Sequence, residues 1–441
     1  MLHLFHNRTY RHLFAAQVIA LLGTGLATVA LGLAAYDIAG DRAGSVLGTA
    51  LAIKMISYVT LAPIAAALAD RVPRRMWLVM LDLIRAAVVL GLPFVSSVWQ
   101  IYGLVFLLQA ASAGFTPAFQ ATIPDILPDE EDYTRALSLS RLAYDLESLA
   151  SPALAALLLT VVSAPSLFFG TALGFALSAL LVISVRLPAA RPQPPRGFYD
   201  RTTRGLRIYL RTPRLRGLLG LSLAAAAVSS MVFVNTVVMV RGSLGLGEGE
   251  VALVLGAFGA GSMLTALFLP ALLDQLQDRK VMQSFAALGC ASLCATAVWS
   301  VAGLTLSGLL LCWFLAGIGY SGTLTPAGRL LRRSAHPEDR AAVFAAQFTL
   351  SHACWLLCYP LAGLGMTYFG QEVILVVLAL IGIVGLLAGS RAWPLGSAAP
   401  LPHAHPDLPD DHPHLLAHPS RPHTHPVVID DLHPHYPPLA P

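Results

Sequence analysis

The sequence predicts an all-α polytopic membrane protein, with twelve transmembrane helices arranged as two six-helix halves. Mean hydropathy is +0.69, only 12% of the 441 residues are charged, and apolar runs of membrane length recur on both sides of one basic central stretch. A soluble domain usually carries about 25% charged residues, so this balance excludes an ordinary globular enzyme. The net charge of +4 is small and requires no nucleic acid to explain it.

A membrane-spanning helix needs roughly 20 apolar residues. Runs of that length lie at about Leu13–Tyr36, Ser45–Leu68, Met76–Val95, Val98–Ala121, Ala136–Val162 and Ser166–Val185. Six more lie at about Leu218–Val240, Val251–Leu273, Val281–Val301, Leu304–Leu324, Ala341–Tyr368 and Val373–Ser390. The first follows Arg8 and Arg11 as a signal peptide would, yet its length predicts a retained first span. Every run exceeds a barrel strand and lacks its period-2 alternation, so helices are expected.

Orientation follows from the basic residues. With the N-terminus inside, all but five of the 28 fall in inside loops and termini; the exceptions are Arg42, Arg241, Lys54, Arg85 and Arg141. This positive-inside asymmetry puts both termini in the cytoplasm. The expected organisation is an N-terminal half at 1–190, a basic cytoplasmic loop at 191–216, a C-terminal half at 217–395 and a tail at 396–441. The stretch from Arg186 to Arg216 holds nine arginines, among them Arg191, Arg196, Arg201, Arg204 and Arg207, and reads as an anchor along anionic headgroups. After Trp393 the chain turns to Pro, His and Asp with no apolar period, which predicts disorder.

Charges inside apolar spans are costly and usually line a pathway or pair with each other. Asp82 and Arg85 stand three apart in the third span and can pair. In the fifth, Arg141, Asp145 and Ser148 share one face, while Glu147 shares another with Tyr144 and Ser151. Asp145 and Glu147 are the candidate carriers of a proton or ion, because Arg141 can neutralise only one of them. Lys54 lies near the middle of the second span. In the eleventh, Gln347, Ser351, Cys354 and Cys358 share a face, with His352 beside Trp355 and Tyr359. Packing competes with ligation as the role of His352 and Cys354, and a structural ion network competes with transport for the charged residues. The five cysteines all lie in apolar segments, which argues against a disulfide framework.

The tail has its own chemistry. Nine of the fourteen histidines lie there: His403, His405, His412, His414, His418, His423, His425, His433 and His435, interleaved with Asp407, Asp410, Asp411, Asp430 and Asp431. Imidazoles with carboxylates and no thiol suit Ni2+, Co2+, Zn2+ or Cu2+. Such ligands should release metal as pH falls through the histidine pKa of about 6.5.

The turn Asp70-Arg71-Val72-Pro73-Arg74-Arg75 resembles the loop signature of the major facilitator superfamily, with Ala66 and Pro73 where glycines are usual. A weak internal repeat of it reads Asp274 to Arg279-Lys280. The resemblance implies that Asp70, Arg71, Arg74 and Arg75 form a conformational latch on the cytoplasmic side. Ser151-Pro152-Ala153-Leu154-Ala155-Ala156 is similar to the family's antiporter signature, with Ser and Ala in place of Gly. A facilitator body with a His-rich C-terminus looks like the NreB-type nickel-resistance exporters, as do the phrases Ser140–Glu147 and Ala346–Trp355. That likeness implies proton-coupled efflux of Ni2+, with Co2+ as a second ion, across the bacterial inner membrane. Ni2+ then enters as transported substrate and tail ligand, and no resident cofactor or enzymatic activity is expected. The implied partners are divalent ions, protons and the bilayer, without nucleic acid. An exporter of organic compounds with an incidental tail, marked by an aromatic-lined cavity, is the rival reading; a membrane-anchored metal buffer is another.

Overall fold

The structure is a computed structural model and describes residues 2–39, 43–69, 71–188, 197–395, 401–404, 408–409, 413–417, 422–425 and 427–436. The first six long helices are α1 (Arg8–Ala39), α2 (Ala43–Ala69), α3 (Arg74–Gly91), α4 (Val98–Ile126), α5 (Glu130–Leu159) and α6 (Ser166–Ile183). A shorter helix, α7 (Phe198–Arg211), precedes α8 (Pro213–Val237), α9 (Glu248–Gln275), α10 (Asp278–Gly303) and α11 (Leu306–Leu324). The chain continues through α12 (Ala327–Arg333), α13 (Arg340–Phe369) and α14 (Gln371–Ala392). Beyond them lie β1 (Leu401–His403), α15 (Pro413–Ala417) and β2 (His423–His425).

Among the described residues, eleven helical segments are long and apolar enough to cross a membrane. The twelfth member of the bundle is α5. Its thirty residues match the others in length, but its acidic first turn and internal charges lower its hydropathy. α5 packs along α1 in its own half and along α9 in the other. The expected twelve-helix architecture therefore holds, with α11 and α12 forming one interrupted span.

Each half is held by a different device. In the first, Arg85 pairs with Asp82, and Ser178 of α6 donates to the other carboxylate oxygen at 2.8 Å. The guanidinium lies 3.9 Å from the Phe115 ring centroid and 4.5 Å from that of Phe175. Asp82 and Ser178 are both 0% exposed, so the pair is a pin between α3 and α6, away from any pathway. In the second half, α8 and α14 approach through glycines: a Cβ on Gly220 would sit 2.5 Å from the Gly385 carbonyl oxygen. Small residues at such crossings let backbones touch in the absence of a hydrophobic driving force.

The buried pair supports a test. Asp82→Ala leaves a buried guanidinium uncompensated and is expected to destabilise the protein by about 3–5 kcal/mol, whereas removing both charges is close to neutral. Thermal unfolding in detergent should thus fall sharply for Asp82→Ala and recover in Asp82→Ala/Arg85→Leu. Equal losses in both variants would show that the pair is not the pin.

Two expectations need correction. The central loop is more than a headgroup anchor, because α7 is amphipathic and buries Arg204, Gly205, Ile208 and Tyr209. Arg204 is neutralised by Asp339, with Nη2 donating to Oδ2 at 2.7 Å, and Gly205 presses on the Ala342 carbonyl of α13. Arg191 and Arg196 lie outside the described residues. Nor is the tail wholly disordered. β1 pairs antiparallel with β2, and segment 427–436 docks on the bundle by burying Val427 and Ile429. Ile429 and Tyr436 join a cluster with Ile208, Tyr209, Leu215 and Trp393. A few well-placed apolar residues suffice where a preformed surface receives them.

Candidate functional site

A cavity of about 590 Å³ lies between the halves, lined from α1, α2, α4 and α5 on one side and α8, α11, α12 and α13 on the other. Its polar and charged lining includes Gln17, Lys54, Gln120, Arg141, Glu147, Gln347, Ser351 and His352. Aromatic rings are the largest part of the rest, among them Tyr58, Tyr144, Tyr320, Phe348, Trp355 and Tyr359.

The two acidic candidates of α5 separate here. Asp145 is 4% exposed and paired with Arg141, whose Nε donates to Oδ2 at 3.2 Å. Ser262 of α9 donates to the same Oδ2 at 2.6 Å, and Arg141 stacks 4.6 Å from the Tyr320 centroid. Asp145 is thus a joint between the halves, behind the cavity wall. Glu147 lines the cavity itself, together with Lys54, the cation that acts on it electrostatically. It lies where α1 comes closest: a Cβ on Gly25 would meet Ser151 Oγ at 2.0 Å and Glu147 Oε1 at 3.0 Å. The small residues of α1 and α5 therefore set the position of this carboxylate. The side chains of Ser148, Pro152, Ala153 and Ala156 lie outside the described residues.

On α13 the wet face is the one carrying Gln347, Ser351, His352, Trp355 and Tyr359. His352 Nδ1 donates to the Phe348 carbonyl at 2.7 Å, which leaves Nε2 as the acceptor or ligand nitrogen. Tyr58 meets the imidazole edge-on at 4.8 Å. Cys354 does not line the cavity; it is buried with Cys358 in the core of the second half.

One end of the bundle gathers the α2–α3 turn, α7 and the docked tail, and is here named the basic end. Asp70 of the latch signature lies outside the described residues. Arg71 and Arg75 are exposed. Arg74 pairs with Asp125 at the end of α4, and Arg340 of the opposite half pairs with that same carboxylate. A second cross-half group joins Glu130 of α5 to Arg333 and, at 2.8 Å, to Arg329 of α12. Asp278 holds both arginines from within their own half, at 3.3 and 2.7 Å. The two groups sit at related places with inverted sign. A basic residue opens α3 against an acid ending α4, and an acid opens α10 against bases ending α12. The sequence alone did not single out Asp125, Glu130, Arg329, Arg333, Arg340 or the turn residue His336, and placed Asp278 only within the weak repeat of the loop signature. An Asp430 hydrogen bond raises the His336 pKa against the effect of burial.

The tail imidazoles partly converge. The ligand atoms of His414, His423 and His425 lie within 4.8 Å of one another, and those of His414 and His423 are 3.1 Å apart. Metal–nitrogen bonds of about 2.1 Å require separations of roughly 3–4 Å, so this trio fits a metal with small adjustment. His435 is exposed and outside the trio. His405, His412 and His418 lie outside the described residues, as does the side chain of His403.

Comparison with known proteins agrees with this architecture. The family model described as Major Facilitator Superfamily matches residues 13–247 and 219–407. The uncharacterized MFS-type transporter YfiS of Bacillus subtilis (strain 168) is 28% identical over 263 residues, 58% of this chain and 62% of that one. Macrolide efflux protein A of Streptococcus pyogenes is 27% identical over 183 residues, 40% of this chain and 44% of that one. The match thus spans less than two thirds of either relative. In fold, the chain resembles the human organic anion transporter MFSD10 (TM-score 0.74, 13% identity, 87% of this chain and 99% of that one). It also resembles a bacterial homologue of the iron transporter ferroportin, in an outward-facing state with soaked iron (TM-score 0.72, 14% identity, 87% and 98%). With two six-helix halves around a central cavity and a family match along most of its length, the chain belongs to the major facilitator superfamily.

Proposed function

We propose that this transporter exports a divalent metal ion, Ni2+ with Co2+ as a second substrate, from the bacterial cytoplasm across the inner membrane in exchange for protons. The observation that carries this reading is the trio His414, His423 and His425 at the basic end. The positive-inside pattern supports a cytoplasmic location for that end. Metal gathered there is enriched beside the mouth of the pathway. Glu147, Gln347 and His352 supply scattered oxygen and nitrogen donors in the cavity, suited to weak and reversible binding. Glu147 is the proton carrier in this scheme: it is the cavity carboxylate that Arg141 does not neutralise, and it takes up a proton when the metal ion leaves.

One observation favours an organic substrate instead. Ten aromatic rings line the cavity, and a relative carries the name macrolide efflux protein. The two readings part in one experiment. Expression in a nickel-sensitive bacterium is expected to lower accumulated nickel and raise tolerance to Ni2+, with no change in macrolide tolerance. Unchanged nickel content with confirmed membrane expression, alongside macrolide resistance, would overturn the metal reading in favour of the organic one.

A further inference from the structure

The docked tail segment 427–436 lies on the basic end as a strap, and Asp430 is its centre. Asp430 Oδ1 accepts from the backbone N–H groups of Leu432 at 2.9 Å and His433 at 2.6 Å. It also accepts from His433 Nδ1 at 2.9 Å, while Oδ2 faces His336 Nε2 at 3.2 Å. A carboxylate on Nδ1 is the usual arrangement behind a metal-ligating histidine, since it fixes the ring and leaves the Nε2 lone pair for the metal. The His433 ring lies 5.2 Å, centroid to centroid, from both His414 and His425. A fourth imidazole, borne by the strap, therefore stands beside the three borne by the β1–β2 hairpin region.

The strap is also tied to the moving parts of the bundle. Asp431 pairs with Arg204 at 2.9 Å, and Arg204 in turn pairs with Asp339. Arg211 donates to the Pro434 carbonyl at 3.1 Å, and Ile429 packs in the cluster containing Leu330 and Leu331 of α12. His336 and Asp339 belong to the turn joining α12 to α13. On one side of that turn Arg333 reaches Glu130 across the halves, and on the other Arg340 reaches Asp125. The strap thus grips the short segment between both cross-half groups.

We propose that the tail is a metal-operated clasp, in which a divalent ion shared by His414, His423, His425 and His433 pins the strap across residues 334–339 and holds the basic end shut. This rests on the reading of the tail as metal-binding and adds a consequence for the gate. A ligand that binds the docked arrangement preferentially must stabilise it, by an amount set by that preference. The metal then acts twice, as cargo in the cavity and as a brake at the tail. The brake works through His433, because this ligand is borne by the strap itself and is bonded to its carboxylate centre, Asp430.

Hydrogen exchange on the full-length purified protein, with Ni2+ added at about ten times its tail dissociation constant, tests this. Amide exchange in residues 427–436 and 334–339 is expected to slow several-fold, approaching about tenfold as the undocked tail binds Ni2+ more weakly than the docked one. His433→Ala should retain Ni2+ on the remaining trio and lose the slowing in both segments. Asp430→Asn, which keeps the shape, should lose most of it too. Three outcomes would overturn the clasp. If the full chain binds no Ni2+, the tail reading fails and the clasp with it. If Ni2+ binds without slowing exchange, or slows it equally in His433→Ala, metal binding by the tail survives and the clasp alone is wrong.

Discussion

Glu147→Gln is expected to abolish proton-driven efflux, with a loss of roughly 100-fold or more in rate, as befits removal of an obligatory proton-transfer group. Substrate exchange with no pH gradient should persist, because the amide keeps the shape and hydrogen-bonding capacity of the side chain. Asp145→Asn is expected to behave differently. Its carboxylate neutralises Arg141 and accepts from Ser262 across the halves, so its loss strips charge from a buried pair at a cost of about 3–5 kcal/mol. Reduced thermal stability and expression, more than lost coupling, should mark that variant. Efflux from metal-loaded membrane vesicles under an imposed pH gradient, paired with melting curves in detergent, separates the two. Proton-driven efflux at the wild-type rate in Glu147→Gln would remove this residue from the coupling mechanism.

That contrast was only half legible in the sequence. Two carboxylates within one apolar stretch already required that one of them lack a partner on the same helix. Which one faced the cavity depended on how α5 is rotated against α1 and α9. Residues 145 and 147 point about 200° apart on a helix, and hydropathy cannot fix that rotation when both faces meet protein. The same geometry separates His352 from Cys354: the imidazole is on the wet face of α13 and the thiol in the core. Asp82 and Arg85 were easier, since a spacing of three brings them together whatever the rotation.

The cross-half contacts left a trace that was readable in principle. Asp125, Asp129, Glu130, Glu131 and Asp132 form an acidic run at the end of the bundle that is otherwise arginine-rich. Acids placed against the prevailing sign mark partners for the surrounding bases, here Arg74, Arg329, Arg333 and Arg340. The docking of the tail left almost none. Val427, Ile429 and Tyr436 are too few and too irregularly spaced to make a period, and the value of Ile429 and Tyr436 lies in the surface that α7, α12 and Trp393 present to them.

Removing both cross-half acids should open the basic end. Asp125→Asn removes the ion pair of Arg340 with the first half, and Glu130→Gln removes those of Arg329 and Arg333, while Arg329 keeps its hydrogen bond to Thr134 at 2.8 Å and Asp278 continues to hold both arginines within their own half. The double variant therefore weakens closure without stripping the second half of its internal support. Arg340 is 11% exposed and Asp125 17%, so that contact is worth more than the Glu130 pairs, whose members Glu130 and Arg333 are 39% and 43% exposed and strongly screened. Together the losses amount to about 2–3 kcal/mol, or roughly a 30- to 150-fold shift towards the form open at this end. Ser140, which lines the cavity, offers a reporter. A Ser140→Cys substitution should react with a bulky maleimide from the basic side at least ten times faster in the double variant than alone, scaling with the open population. The native cysteines, four of them buried and Cys294 partly exposed, set a background that is measured on each protein without the Ser140→Cys substitution. An unchanged labelling rate with intact folding would mean that these ion pairs do not hold the halves together, and that closure rests on the remaining cross-half contacts, among them Arg329 on Thr134, Arg332 on the Pro128 carbonyl, and Tyr133 and Leu137 against Gly328.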